Sequence, residues 1–161
     1  MMEFPSSLSR EPFDRQYFEA SGRWLSNPEL QKLIMAPEPE PQGRLLWFQS
    51  LQARDDYWIW GIGLNGHPIG CFGIKHVDVA RSTGEYWGYI GEPHLWGKRI
   101  GPWMLSEAAT VAHSHGLDSL YLRVWVENLR AIRLYRLVGF LDSTLDGDVL
   151  TMAAPVALLL R

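Results

Sequence analysis

Between Gly84 and Phe140 the chain reads as strand, glycine-bearing turn, helix, strand and helix, and no other stretch restricts the fold as tightly. The first strand is Gly84-Glu85-Tyr86-Trp87-Gly88-Tyr89-Ile90-Gly91, and the turn is Trp96-Gly97-Lys98-Arg99-Ile100-Gly101. Ile100, Met104, Leu105, Ala108, Val111, Ala112 and His115 follow at helical spacing, and Gly116 supplies a stop. Leu120, Leu122, Val124 and Val126 alternate with Tyr121, Arg123 and Trp125, so this strand is covered on at least part of both faces. Asn128 suits the cap of a helix that runs to Gly139. Two strands joined through a helix form a parallel crossover. A turn opening a helix also presents free backbone amides at the positive end of the helix dipole, a favourable place for phosphate.

The remaining chain supplies flanking elements. Met1 to Arg10 is polar and reads as loosely held or as a short first strand. Phe13, Tyr17, Phe18, Trp24 and Leu25 fit one amphipathic helix interrupted near Gly22. Ser26-Asn27-Pro28 opens a short helix over Glu29 to Met35, because a capping residue precedes a proline in the first turn. Ala36 to Pro41 is a loop, since each proline restricts its predecessor. Arg44 to Arg54 is a helix with Leu45, Phe48 and Leu51 facing inward, Gln52 being a further candidate for that side. Tyr57 to Leu64 and Pro68 to Val77 are strands around the hairpin signal Asn65-Gly66. Phe140 to Leu145 and Val149 to Ala153 form a last hairpin. The apolar tail Val156 to Leu160 is placed either on the core or against a second copy, so a homodimer is among the expectations. The periodicity alone gives helices on one side of a mixed sheet.

Composition excludes several classes. With 161 residues the prior is one domain spanning 1–161. A formal net charge of −3 leaves no basic excess for general nucleic-acid binding. One cysteine, Cys71, excludes an internal disulfide and a cysteine zinc cluster, and no metal site is expected. The start lacks an apolar signal core and no segment is long enough to span a membrane, so the expectation is a cytoplasmic protein.

The central stretch resembles the core of the GNAT superfamily of acetyl-CoA-dependent N-acetyltransferases. Asn128, Ala131, Tyr135, Gly139 and Phe140 match the family pattern Asn-x-x-Ala-x-x-x-Tyr-x-x-x-Gly-Phe. The turn is similar to the pyrophosphate-binding Gln/Arg-x-x-Gly-x-Gly/Ala, with Trp96 in place of Gln or Arg and Arg99 in place of the first glycine. Its Trp-Gly-Lys start looks like the branch acting on ribosomal-protein N-termini and amino sugars. The resemblance implies an α+β fold with α/β/α layers and a mixed sheet of about six to seven strands. Its two central parallel strands splay apart and acetyl-CoA lies in the wedge.

It also implies a set of site residues. Gly97, Lys98, Arg99, Ile100, Gly101 and Trp96 would surround the pyrophosphate, with the Arg99 Cβ pointing away from it. Tyr89, Ile90 and Gly91 would pair with the pantetheine arm, helped by a local bulge that frees an amide for the thioester carbonyl. Asn128 would touch the same arm, although capping alone accounts for it. Tyr135 would protonate the departing thiolate, the alternative being a packed core tyrosine. Glu85 is the candidate base for the amine, the alternative being a solvated or salt-bridged carboxylate. Arg130, Arg133 and Arg136 read as a solvated helix face, or one of them as a ligand of the 3′-phosphate. Trp58, Trp60, Trp87, Trp96, Trp103 and Trp125 are core residues or, in part, an acceptor-pocket lining. The acceptor pocket would be built from Phe13 to Arg54 and the hairpin after Phe140. The implied activity is acetyl transfer to a protein N-terminus or a small amine in one ternary complex. A domain of this fold that binds acyl-CoA without turnover is the other reading.

Overall fold

The structure, a computed structural model, describes residues 7–160. Of the polar start expected over Met1 to Arg10, the first six residues lie outside the described residues. The elements follow as β1 (Leu8–Pro12), α1 (Arg15–Trp24), α2 (Pro28–Leu33), α3 (Pro41–Ser50), β2 (Trp58–Leu64), β3 (His67–Asp78), β4 (Thr83–Ile90), α4 (Ile100–Ser114), β5 (Ser119–Trp125), α5 (Leu129–Val138), β6 (Leu141–Asp146), β7 (Val149–Pro155) and α6 (Val156–Leu159). The seven strands form one sheet in the order β1-β2-β3-β4-β5-β7-β6. All neighbours are antiparallel except β4 and β5, the pair joined through α4.

Helices cover both faces, not one side as the periodicity alone suggests. Neighbouring residues of β3 show why: Phe72 packs into a cluster with Met104, Leu105, Ile132 and Leu159 from α4, α5 and α6, while Cys71 packs into a second cluster with Tyr17, Ala20, Trp24 and Leu30 from α1 and α2. Side chains alternate across a strand, so a strand buried on both faces shows no polar–apolar alternation to reveal the second layer. The tail settles on the core, with Val156 and Leu159 buried.

Local chemistry explains most boundaries. Asp14, Asn27 and Glu40 cap α1, α2 and α3, each accepting a backbone N–H of the first turn. Pro28 and Pro41 each stand in the first turn of a helix, where a missing N–H is harmless. α1 passes through Gly22 without a break, against expectation, because its buried stripe of Tyr17, Ala20, Ser21 and Trp24 carries it to the end. The helix expected over Arg44 to Arg54 begins earlier, at Pro41, and gives way to a 3-10 turn at Leu51–Ala53. It buries none of its residues fully, and Leu45 is exposed. It is held instead by aromatic contacts, Phe48 stacking on Phe18 at 4.5 Å and Trp47 meeting Phe13 edge-on at 5.7 Å.

Candidate active site

The one parallel pair of strands separates part-way along. β4 and β5 are in register at Thr83↔Ser119, Gly84↔Leu120 and Glu85↔Tyr121, and no further. Beyond that point β4 keeps its other neighbour, β3, up to Gly70↔Ile90, and β5 keeps β7 up to Trp125↔Val149. The sheet is therefore split from Tyr86 and Leu122 onward. Two cavities open at the split, of about 560 and 580 Å³. One lies against the start of α4, the other beneath α1, α3 and the α2–α3 loop. They meet at a shared wall that includes Tyr86, Gly88, Tyr89, Asn128 and Tyr135.

The first cavity is floored by the turn into α4. Trp96, Gly97, Arg99, Ile100 and Gly101 line it, together with Tyr89 and Ile90. Gly97 and Arg99 both have positive φ, +78° and +65°. Two left-handed residues in three positions coil the backbone tightly just before α4, whose first amides have no partner within the helix. Lys98 does not line the cavity, and its own N–H bonds the Leu95 carbonyl at 3.3 Å. Gly101 answers a packing need as well, since a Cβ there would stand 2.7 Å from Leu134 on α5. Of the three arginines on α5, Arg130 reaches this cavity, whereas Arg136 is paired with Asp142 at 2.8 Å.

The parted end of β4 departs from expectation in two ways. The register between β3 and β4 runs unbroken from Lys75↔Glu85 to Gly70↔Ile90, so there is no bulge at Tyr89 to Gly91. Gly91 lines neither cavity. Its close approach is to Trp24, whose ring atoms would lie 2.1 Å from a Cβ there. Trp96 does more than line the first cavity, for its indole N–H donates to the Ile90 carbonyl at 2.8 Å.

Tyr135 stands on α5, a helix whose limits follow from its ends. The Asn128 side-chain oxygen accepts from the Ala131 amide at 3.4 Å, and Gly139 stops the helix at φ +124°. Phe140 then anchors in the core. The Asn128 side chain also donates to the Leu33 carbonyl at 3.2 Å, tying α5 to the end of α2. Tyr135 is turned to the shared wall, edge-on to Tyr86 and to Phe140. Burial pushes its phenol up to about 12.

Glu85 stands behind the second cavity, next to Lys75 and Arg123, which line it. It lines neither cavity and is buried in the still-paired part of the sheet. Lys75, His76 and Arg123 surround its carboxylate at 3.7, 3.9 and 4.0 Å. The strand carboxylate is thus ion-paired across β3, β4 and β5, as in the salt-bridged alternative.

Comparison with known proteins decides the family. Residues 14–140 match the profile of the Acetyltransferase (GNAT) family. The chain belongs to the GNAT family. It is 29% identical over 99 residues to an uncharacterised N-acetyltransferase of Methanocaldococcus jannaschii, covering 58% of this chain and 43% of that protein. It is 28% identical over 122 residues to an uncharacterised protein of the same organism, covering 73% of this chain and 24% of that one. The chain therefore spans less than half the length of these curated relatives. A spermidine N-acetyltransferase from Vibrio cholerae, solved with CoA and spermine, has the same fold at TM-score 0.85 and 19% identity, covering 98% and 100% of the two chains.

Within the GNAT pattern, the two departures in the turn now have physical readings. The position usually held by glycine is left-handed here, and Arg99 occupies it at the steric cost a Cβ carries in that region. The position usually held by Gln or Arg is filled by Trp96, which bonds the strand end. In this GNAT chain the second cavity is lined by Phe13, Arg44, Trp47, Tyr57, Trp87 and the α2–α3 loop. The range Phe13 to Arg54 is thus represented, but the hairpin after Phe140 is not. Of the six tryptophans singled out in sequence, Trp87 lines this cavity and Trp96 the other, while Trp103 is core. Sequence reasoning does not find Arg44, because nothing in the sequence distinguishes it from the surface arginines.

Proposed function

We propose that this chain, acting as one domain, transfers the acetyl group of acetyl-CoA to a primary amine by direct attack in a ternary complex. The observation that carries the reading is the meeting of two cavities at a single wall, through a gap between β4 and β5. In this reading the cavity at the start of α4 takes the pyrophosphate and the pantetheine arm, and the other takes the acceptor. Gly97, Arg99, Ile100, Gly101 and Trp96 surround the phosphates, with Lys98 adding charge from outside the cavity and Arg130 placed for the 3′-phosphate. Tyr89 and Ile90 flank the arm, and Gly91 acts behind them by seating Trp24. Asn128 fixes α5 and faces the arm.

In the reaction the amine nitrogen bonds to the thioester carbonyl carbon, and the C–S bond then breaks. The ammonium first loses a proton to water; after attack the nitrogen loses a second, the thiolate takes one up, and one proton is released overall. Tyr135 faces the junction and is the donor in this reading. Its raised pKa keeps it protonated across the physiological range. Full transfer to a thiolate whose thiol has an ordinary pKa of about 8.5 is uphill. Tyr135 therefore acts first by hydrogen-bonding the departing sulfur, and burial, which raises the thiolate's basicity too, narrows the gap for proton transfer. Glu85 enters through Lys75 and Arg123, which line the acceptor cavity; a proton would reach it only through water. Cys71, the only thiol, is buried with its pKa raised to about 12, so it offers no thiolate for a covalent intermediate.

The spermidine acetyltransferase neighbour supports an amine as the acceptor class. The test is thiol release from acetyl-CoA across an amine panel, beside mass spectrometry for retained CoA. Thiol release with an amine, and an acetylated product, is the expected result. Retained CoA with no turnover on any amine would move the chain to the sensor reading.

A further inference from the structure

The acceptor cavity carries an uneven set of charges. Arg44, Lys75 and Arg123 line it, against Glu38 and Glu40. Glu40 is engaged at the start of α3, where its oxygens accept from the amides of Gln42 and Gly43 at 3.0 and 2.6 Å. Lys75 and Arg123 share the single carboxylate of Glu85, at 3.7 and 4.0 Å. Arg44 has no carboxylate within salt-bridge distance among the described residues.

Arg44 is nonetheless held firmly. Its fork donates to the Phe18 carbonyl at 3.4 and 3.2 Å and to the Ser21 hydroxyl at 2.5 Å. The guanidinium lies 4.6 Å from the Phe18 ring centroid. Gly22 leaves it room, since a Cβ there would stand 2.8 Å from Nη1. Neutral partners fix its position and leave its charge uncompensated in a half-buried, aromatic setting, and burial lowers its pKa. A cation fixed in place, with its Nε–H free of any acceptor among the described residues, is arranged for an anion that arrives with the ligand.

We propose that the acceptor amine carries a carboxylate, and that Arg44 binds it. Lys75 and Arg123 bias the same cavity toward an anion. The inference rests on the acetyl-transfer reading and narrows its acceptor. A polyamine, the ligand of the Vibrio cholerae neighbour, brings no carboxylate for Arg44, and of the cavity's charges only Glu38 and Glu40 would favour it.

The test is calorimetry on the full chain saturated with CoA. The ligands are phenylalanine, phenylalaninamide, a dipeptide amide whose carboxylate is an aspartate side chain, and spermidine. The expected result is a carboxylate ligand bound roughly ten- to a hundredfold more tightly than phenylalaninamide. Whether the free amino acid or the dipeptide binds better distinguishes a small acceptor from an acidic peptide. Arg44→Gln is expected to equalise acid and amide, and Arg44→Lys to restore part of the difference. Equal or tighter binding of phenylalaninamide or spermidine overturns the proposal, as does no binding of any of the four. Should Arg44→Gln fail to fold, the ratios of the unaltered protein and of Arg44→Lys decide. If CoA itself gives no heat and no rise in Tm, the acetyl-transfer reading falls with it; if CoA binds and the acids show no preference, only this inference falls.

Discussion

The first three residues of β4 and the last five face different surroundings on the β5 side. Thr83, Gly84 and Glu85 have β5 beside them, and Glu85 ties three strands together through Lys75 and Arg123. Tyr86 to Ile90 have lost that neighbour. An unpaired strand edge inside a protein leaves polar backbone groups in need of partners. Here the strand end is held by other means: Trp96 takes the Ile90 carbonyl, the Gly91 amide bonds the Ile69 carbonyl at 2.7 Å, and Trp24 packs on Gly91. The edge between stays open to the cavities. The paired end is thus built for stability and the parted end for occupancy. Perturbing each end should separate the two.

The largest effect is expected at the wall between the cavities. Tyr135→Phe removes the hydroxyl and keeps the ring that packs on Tyr86 and Phe140. Turnover should fall roughly ten- to a hundredfold, about 1.4–2.7 kcal/mol in barrier, with the acetyl-CoA Kd unchanged. Steady-state kinetics beside equilibrium binding checks this. The sign of the pH effect follows from the raised pKa of Tyr135. A tyrosine held protonated in the fold stabilises it fully below its unfolded value near 10 and loses that contribution as pH climbs to about 12. The alkaline fall in Tm should therefore be shallower in Tyr135→Phe. A drop in affinity equal to the drop in turnover would mean that the phenol only packs.

Next comes Gly91→Ala, at the parted end. A Cβ would meet the Trp24 ring, which itself donates to Glu92 at 3.0 Å, so the ring must shift. Overpacking of this kind costs about 1–3 kcal/mol. Because Gly91 holds the end of the open edge, acetyl-CoA affinity should fall along with Tm. Unchanged affinity in a destabilised variant would show that the two ends are not distinct in the way described.

The cofactor side of this division is far more legible in the sequence than the acceptor side, for a physical reason. Asn128, Gly139 and Phe140 are the cap, stop and anchor of one helix, and their chemistry is local, so it shows as spacing. The turn before α4 is likewise a local backbone feature. Arg44 and Trp87 owe their places to contacts between α1, α3 and the sheet, which no periodicity encodes. Glu85 lies away from its expected place because strand alternation gives the face a residue takes, not whether the next strand is still attached at that level. Gly91 closely approaches Trp24, and a glycine in sequence signals a close approach without saying to what.

Glu85→Gln should have the smallest effect on activity, and it addresses the paired end directly. The substitution keeps the shape of a buried side chain and removes the charge between Lys75 and Arg123. Removing one partner of a buried pair is often severe, but here the cations keep 33% and 56% of their side-chain exposure, so water takes over much of the role. A loss of about 1–2 kcal/mol is expected on that ground. If Glu85 were the base, the same variant would also lose the acidic limb of its rate–pH profile. Placed outside both cavities, it should lower Tm and keep the limb, with acetyl-CoA affinity intact. Because Lys75 and Arg123 line the second cavity and lose their shared counter-charge, affinity for an anionic ligand there should rise slightly. The ion pairs are lost whichever role Glu85 has, so the acidic limb of the rate–pH profile is the measurement that separates the two accounts.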